Sequence, residues 1–351
     1  MPEKIVRIVL VIIAAVFLCT GCSKTTLTQE PGSAPAAGAT IRDSAGRVIS
    51  MPAKLERVIV LNSSAYNMIT AIGAGEVVIG VNDNTQQVEP TAADKAVFGT
   101  FRQPNVEKII EARPDAVIGN TLMNPAQVKQ LEDAGIAVFL FEFYIPSILQ
   151  TEILTLGTLF HKEEQAQKYA GFILQYRQLI ETRLKDIKPA DKPTVYFEGY
   201  VDYSTVARGS GGDEMVNWAG GINIAGMEEV KYPKISSEWI LQKNPQVIVK
   251  TISSNSQAMG EGYTDPTAVK ALYDKMTARA GWQELAAVRN QKILFLAQDI
   301  GTTPEGSIIG MLYMAKAMYP DRFADIDTYV IYKQMKKEFY HVDTHGIMIY
   351  P

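Results

Sequence analysis

Apolar residues recur at steps of three and four through the middle of the chain: Ala166, Tyr169, Ala170, Ile173, Tyr176, Ile180, Leu184 and Ile187. That spacing puts them on one face of an α-helix over 163–187. Glu163 and Glu164 suit its N-terminal end, Arg183, Lys185 and Lys188 its C-terminal end, and Pro189 stops it. At ~1.5 Å per residue the helix is roughly 37 Å long, about the width of a domain. Periodicity alone also fits a long surface helix of a single domain; the flanking pattern favours a strut between two lobes.

Before the helix, apolar runs at 58–61, 77–81, 116–119 and 137–141 read as buried parallel strands, with helical patterns at 64–72, 106–112, 125–134 and 148–160. After it, runs at 194–198, 247–250 and 293–296 alternate with helices at 213–219, 237–243, 268–275 and 307–318. Such alternation predicts a parallel sheet covered on both faces, once in each lobe. The expected fold is therefore α/β, two Rossmann-like lobes joined by one long α-helix. Residues 41–52 alternate around Ala45-Gly46 as a short hairpin. A short internal repeat lays 104–118 over 235–249, with Glu107 on Glu238 and Pro114 on Pro245.

The first residues follow another logic. Lys4 and Arg7 precede an apolar run from Ile8 to Leu18, too short to span a bilayer and suited to a signal h-region. Thr20, Gly21 and Cys22 follow, which resembles a lipoprotein signal whose cysteine is acylated and becomes the mature N-terminus; Cys19 stands where that pattern usually has Leu. Residues 23–40, rich in Ser, Thr, Ala, Pro and Gly, cannot form a core and read as a tether. The expected organisation is a signal peptide (1–21), tether (22–40), N-terminal lobe (41–160), interlobe helix (161–188) and C-terminal lobe with tail (189–351).

The chain has 351 residues, enough for two cores, and a formal charge of −4 that offers no nucleic-acid-binding surface. Its 2 cysteines are Cys19 and Cys22. With Cys22 lipidated the mature protein has no free thiol, so disulfides, thiolate metal sites and cysteine nucleophiles are not expected.

Several segments in order, GRVISMPAKLERVIVLN, PNVEKIIEARPDAVIG, WAGGINIA, ISSEWILQKNPQVIV, GWQELAAVRNQKILFL and PEGSIIGMLYMAKAMYPDRF, resemble the substrate-binding lipoproteins of ABC importers for ferric siderophores, haem and cobalamin. They span 41–325. The resemblance implies two α/β lobes joined by one long helix, the class III periplasmic-binding-protein fold. It also implies a metal chelate held as cargo in the interlobe cleft, without a cofactor or enzymatic activity, and delivered to a permease with its ATPase by a monomer. In the family one surface Glu per lobe docks on permease arginines, and the matching motifs put these at Glu107 and Glu238.

Ligands of open α/β sheets bind outside the carboxyl ends of the strands. There the N-terminal lobe offers Asn62, Ser63, Asn82, Asn120 and Tyr144, with Arg102 just before the Glu107 helix; the C-terminal lobe offers Tyr200, Arg208 and Gln298. Aromatic rings would stack on a macrocycle or catecholate, and an arginine would neutralise an anionic chelate. For each, capping a local helix is an equal alternative. His161, His341 and His345 lie away from these loops, so a bare metal ion lacks ligands and the cargo is expected to bring its own coordination shell, with Tyr144 or Tyr200 open as an axial ligand to haem. Arg208-Gly-Ser-Gly-Gly-Asp213 lacks the Lys-Ser/Thr of a P-loop and reads as a turn into a helix. Two other readings stay open: a molybdate or tungstate receptor using groups such as Ser63, and a chelatase-like enzyme, which would need a base or nucleophile these loops do not supply.

Overall fold

The computed structural model describes residues 39–351; the signal segment, Cys22 and the tether up to residue 38 lie outside the described residues. A hairpin of β1 (Thr40–Arg42) and β2 (Val48–Ser50) pairs antiparallel around the 45–46 turn. The chain then enters a doubly wound unit: β3 (Val58–Val60), α1 (Ser63–Ala71), β4 (Val78–Val81), α2 (Asp83–Val88), β5 (Ala96–Val97), α3 (Val106–Ala112), β6 (Ala116–Gly119), α4 (Pro125–Asp133) and β7 (Ala137–Leu140). Its five strands are parallel in the order β5-β4-β3-β6-β7. The order reverses between β3 and β6, which opens a crevice at their carboxyl ends.

Two helices lead out of this sheet. They are α5 (Pro146–Phe160) and α6 (Glu163–Leu184), and in α6 buried Ala166, Tyr169, Ala170, Ile173 and Ile180 form the apolar stripe read from the sequence. The 22 residues of α6 are three fewer than the periodicity predicts. The pattern runs on through Ile187, but the backbone leaves the α-helix after Leu184 and turns at Pro189–Asp191.

A second α/β unit follows: β8 (Thr194–Glu198), α7 (Gly211–Trp218), β9 (Ile222–Asn223), α8 (Ser237–Lys243), β10 (Val247–Ile252), β11 (Gly260–Glu261), α9 (Thr267–Thr277), α10 (Ala286–Arg289), β12 (Ile293–Ala297), α11 (Gln298–Gly301), α12 (Pro304–Met318), α13 (Thr328–Tyr340), β13 (Gly346–Ile347) and β14 (Ile349–Tyr350), with β11 and β13 paired antiparallel by themselves. The order of its main sheet is β14-β12-β10-β8-β9, parallel except for the β14 edge, with the reversal between β8 and β10. Both sheets are buried on two faces, so their strands are nearly continuous apolar runs. Each sheet with its helices is called a lobe below. The fold is the class III periplasmic-binding-protein architecture. Met311 and Met314 of α12 are core residues.

The internal repeat is structural. Each copy gives a seven-residue helix, α3 and α8, whose N-cap (Asn105, Ser236) accepts a hydrogen bond from the backbone N–H of Lys108 or Trp239. Each ends on a left-handed residue, Arg113 (φ 48°) or Asn244 (φ 43°), and buries one isoleucine, Ile109 or Ile240. Because a crossover helix runs antiparallel to its strands, both N-termini lie at the carboxyl edge of their sheets. Glu107 and Glu238 are exposed there.

Candidate functional site

The strand-end loops differ in what their side chains have left to offer. Asn62 accepts from the amides of Ser64 and Ala65 and donates to the Phe141 carbonyl; Asn82 accepts from the Thr85 amide and donates to the Leu61 carbonyl. They are 6% and 2% exposed. Both, for which the sequence left ligand contact and helix capping open, cap α1 and α2, because a strand-to-helix turn needs an acceptor for the first helical amides. Gln298 accepts from the Ser254 amide and hydroxyl, and Asn120 accepts from the Leu122 amide. Ser63, half-buried at the start of α1, accepts from the Thr85 hydroxyl at 2.7 Å and from Asn84 at 3.3 Å.

Other groups are freer. Arg102 lies over the Phe101 ring at 5.2 Å, and Arg208 touches the Met227 sulfur at 2.9 Å. Among the described residues neither has a carboxylate within 4.0 Å. Tyr200 is 45% exposed, and its hydroxyl bonds Thr302. Burial pushes the phenol up to about 12, with the Thr302 hydrogen bond opposing. Burial, and then the adjoining Glu142 carboxylate, raise Tyr144 and Tyr232 alike.

Tyr232 and Glu142 thus join the candidate set. Tyr144 and Tyr232 come from opposite lobes, and Glu142 influences both phenols. Glu142 bonds the Thr121 hydroxyl through one oxygen, while the other is buried without a partner. Tyr232 sits in the Gly226–Ile235 loop after β9, a segment whose sequence carries no periodic signal. Seven of the fourteen large apolar residues exposed among the described residues lie on these same loops: Phe101 and Leu122 on one lobe, and Tyr200, Val201, Met227, Val230 and Tyr232 on the other. Exposed apolar patches mark binding surfaces.

In each lobe a buried glutamate shapes such a loop. Glu152 accepts from the amides of Glu142 and Phe143, both at 2.7 Å, and Phe143 stands at φ 60°. Glu198 accepts from the Tyr203 amide at 3.0 Å, and Tyr203 stands at φ 62°. Left-handed aromatic residues cost of order 1–3 kcal/mol and persist only where neighbours fix them.

Residues 58–300 match the model of the periplasmic binding protein family, described as "Periplasmic binding protein". The chain belongs to the periplasmic binding protein family. The molybdate-binding protein MolA of Haemophilus influenzae is 23% identical over 86% of this chain and 90% of its own length. Its molybdate-bound structure, the cognate binding protein of an ABC transporter, superposes with a TM-score of 0.74 at 21% identity, covering 88% of this chain and 99% of that one. The structure of the TroA-like periplasmic binding protein FepB from Veillonella parvula gives 0.74 at 23% identity, covering 89% and 99%. The vitamin B12-binding protein of Vibrio cholerae is 25% identical over 72% of this chain and 84% of its own.

The two lobes are also in direct contact. Glu214 of α7 accepts from the Ser147 amide and hydroxyl of α5, both at 2.7 Å. Gly211 lies so close to the Tyr144 carbonyl that a Cβ there would approach its oxygen to 2.1 Å. Asn67 of α1 donates to Glu305 of α12 at 2.8 Å, and the second Glu305 oxygen is buried without a partner. Burial raises the Glu305 carboxyl to about 7, with Lys336 opposing and Glu89 adding to the shift. The unfolded chain ionises Glu305 near 4.5, so this residue's contribution to stability falls as pH rises from about 4.5 to about 7. At roughly 1.4 kcal/mol per unit the fall amounts to roughly 3 kcal/mol. Glu305→Gln should therefore melt above the wild type at pH 8 and converge with it at pH 4.5; parallel melting-temperature profiles across that range would contradict this.

Proposed function

We propose that this protein is the lipid-anchored, extracytoplasmic receptor of an ABC importer and that its cargo is a metal chelate of the iron-siderophore, haem or corrinoid kind. The single observation carrying the cargo reading is the set of seven exposed apolar and aromatic side chains on strand-end loops of both lobes, with Arg102 and Arg208 beside them and, among the described residues, no carboxylate within 4.0 Å of either. A flat organic shell offers rings and alkyl surface to such a wall, and an anionic shell is neutralised by guanidinium. Glu107 and Glu238, exposed and equivalent in the two lobes, are the proposed permease anchors. Anchoring through Cys22 rests on the sequence signal; among the described residues no helix is long and apolar enough to cross a membrane.

The likeness to MolA supports a second reading, an oxyanion receptor built on hydroxyls such as Ser63 and Thr121. Calorimetry with ferric tris-catecholate, haemin, cyanocobalamin, molybdate and tungstate separates the two. Saturable binding of a chelate is expected; binding of molybdate or tungstate alone overturns the chelate reading. Arg208→Ala should weaken ferric tris-catecholate about tenfold, roughly 1.4 kcal/mol, and leave uncharged cyanocobalamin within about twofold. An equal effect on both would remove Arg208 from charge recognition.

A further inference from the structure

Lys250 is a charged residue in β10, a strand buried at every position, and it lies at the reversal between β8 and β10. Its ammonium meets Glu198 Oε1 at 2.9 Å and Asp202 Oδ1 at 3.3 Å, and donates to the carbonyls of Gly199 at 2.8 Å and Tyr200 at 3.4 Å. Arg279 closes the cluster from beyond α9, with two hydrogen bonds to Glu198 at 2.8 and 3.0 Å and one contact to Asp202 at 2.9 Å. Its guanidinium also lies 4.5 Å from the Tyr203 ring centre. These contacts converge on Glu198 at the end of β8 and on the reversal that follows it, Gly199–Ser204, closed by the Gly199 amide on the Ser204 carbonyl at 2.8 Å.

Packing alone does not hold that loop. A cavity of about 150 Å³ lies against it, bounded among others by Tyr200, Lys250, Ser253, Met276 and Arg279. Buried ion pairs are a poor source of stability, since apolar residues of similar volume do as well or better. What they supply here is direction: a lysine tied to two successive carbonyls, and a glutamate tied to the amide of a strained tyrosine, leave the loop one conformation. We propose that Lys250, through Glu198, Asp202 and Arg279, is a positioning residue that holds the Tyr200 loop in its binding-ready shape. Affinity then depends on a group that does not itself touch cargo. Preorganisation of this kind saves the ordering entropy that a loose loop loses on binding.

The binding half of this inference rests on the receptor reading above, and a double-mutant cycle tests it. With whichever of ferric tris-catecholate, haemin, cyanocobalamin or molybdate the wild type binds, Lys250→Met should lose at least about tenfold in affinity. The loss should vanish on a Tyr200→Ala background, because the two residues act through one loop. Additive effects would show that Lys250 does not act through Tyr200. Amide hydrogen exchange of the free protein supplies the half that needs no cargo. Amides of 199–204 should exchange at least about tenfold faster in Lys250→Met, while those of β3 and β6 keep wild-type rates; unchanged exchange at 199–204 overturns the proposal. Where Lys250→Met fails to fold, Asp202→Asn, half-exposed and outside the sheet, is read the same way, with a smaller acceleration expected and no acceleration overturning it. Should the wild type bind none of the four probes, the cargo reading falls and the exchange measurement still decides the loop's restraint.

Discussion

Glu198→Gln is expected to lower stability by about 3–5 kcal/mol, the cost of removing one partner from a buried charge cluster. Glu198 is fully buried and receives five hydrogen bonds or ion contacts, from Tyr196, the Tyr203 amide, Lys250 and both Arg279 nitrogens. The amide keeps the shape and loses the charge. Two buried cations are then left with Asp202, whose side chain is 49% exposed. Urea unfolding followed by tryptophan fluorescence measures this loss, and one of the three tryptophans, Trp282, has its ring 4.6 Å from Arg279. For contrast, Lys129→Ala breaks an exposed pair with Asp133 and should change stability by less than about 1 kcal/mol. A loss below about 1 kcal/mol for Glu198→Gln would mean that the cluster contributes little to the folded state.

Reversing both proposed docking charges, Glu107→Arg with Glu238→Arg, is the second large effect expected. Losing a charge pair at an interface costs about 2–5 kcal/mol, and a like charge facing a permease arginine adds repulsion. Transport into proteoliposomes carrying the permease should fall by about 100-fold or more. Cargo affinity should be unchanged, because both residues lie on short helices with their side chains in solvent. Each single reversal should fall between. Transport within about threefold of wild type for the double variant would sink the docking assignment.

Much of the architecture was legible because parallel strands covered on both faces leave uninterrupted apolar runs: Val58–Val60, Ala116–Gly119, Val247–Ile252 and Ile293–Ala297 could hardly be missed. The strands that escaped are those whose pairing comes from elsewhere in the fold. Ala96–Val97 and Ile222–Asn223 are two residues each, and Ile349–Tyr350 is recruited to an edge from beyond the last helix. Helix starts shifted where a cap acts at a distance: α12 begins at Pro304, three residues before its apolar pattern, because Thr303 accepts from the Gly306 amide.

The site was less legible for a chemical reason. An asparagine after a strand can cap a helix or meet a ligand, and only burial separates the two, as at Asn62 and Asn82. Lys250 reads in sequence as the polar end of an apolar run; its role appears only once Glu198 and Arg279, 52 and 29 residues away, are brought beside it. Tyr232 was missed because nothing local distinguishes an ordinary exposed loop tyrosine from one whose phenol is raised by burial and by the Glu142 carboxylate of the other lobe.

The main chain passes from one sheet to the other only once, along α5 and α6, and the seam between the lobes is held by Asn67–Glu305 and Ser147–Glu214. A helix of 22 residues resists bending far more than an extended crossover would. With cargo held between the lobes as proposed, this connection would act as a spring clip rather than a door: small flexing about a preset gape, with discrimination among cargoes falling on the fit of that resting gap.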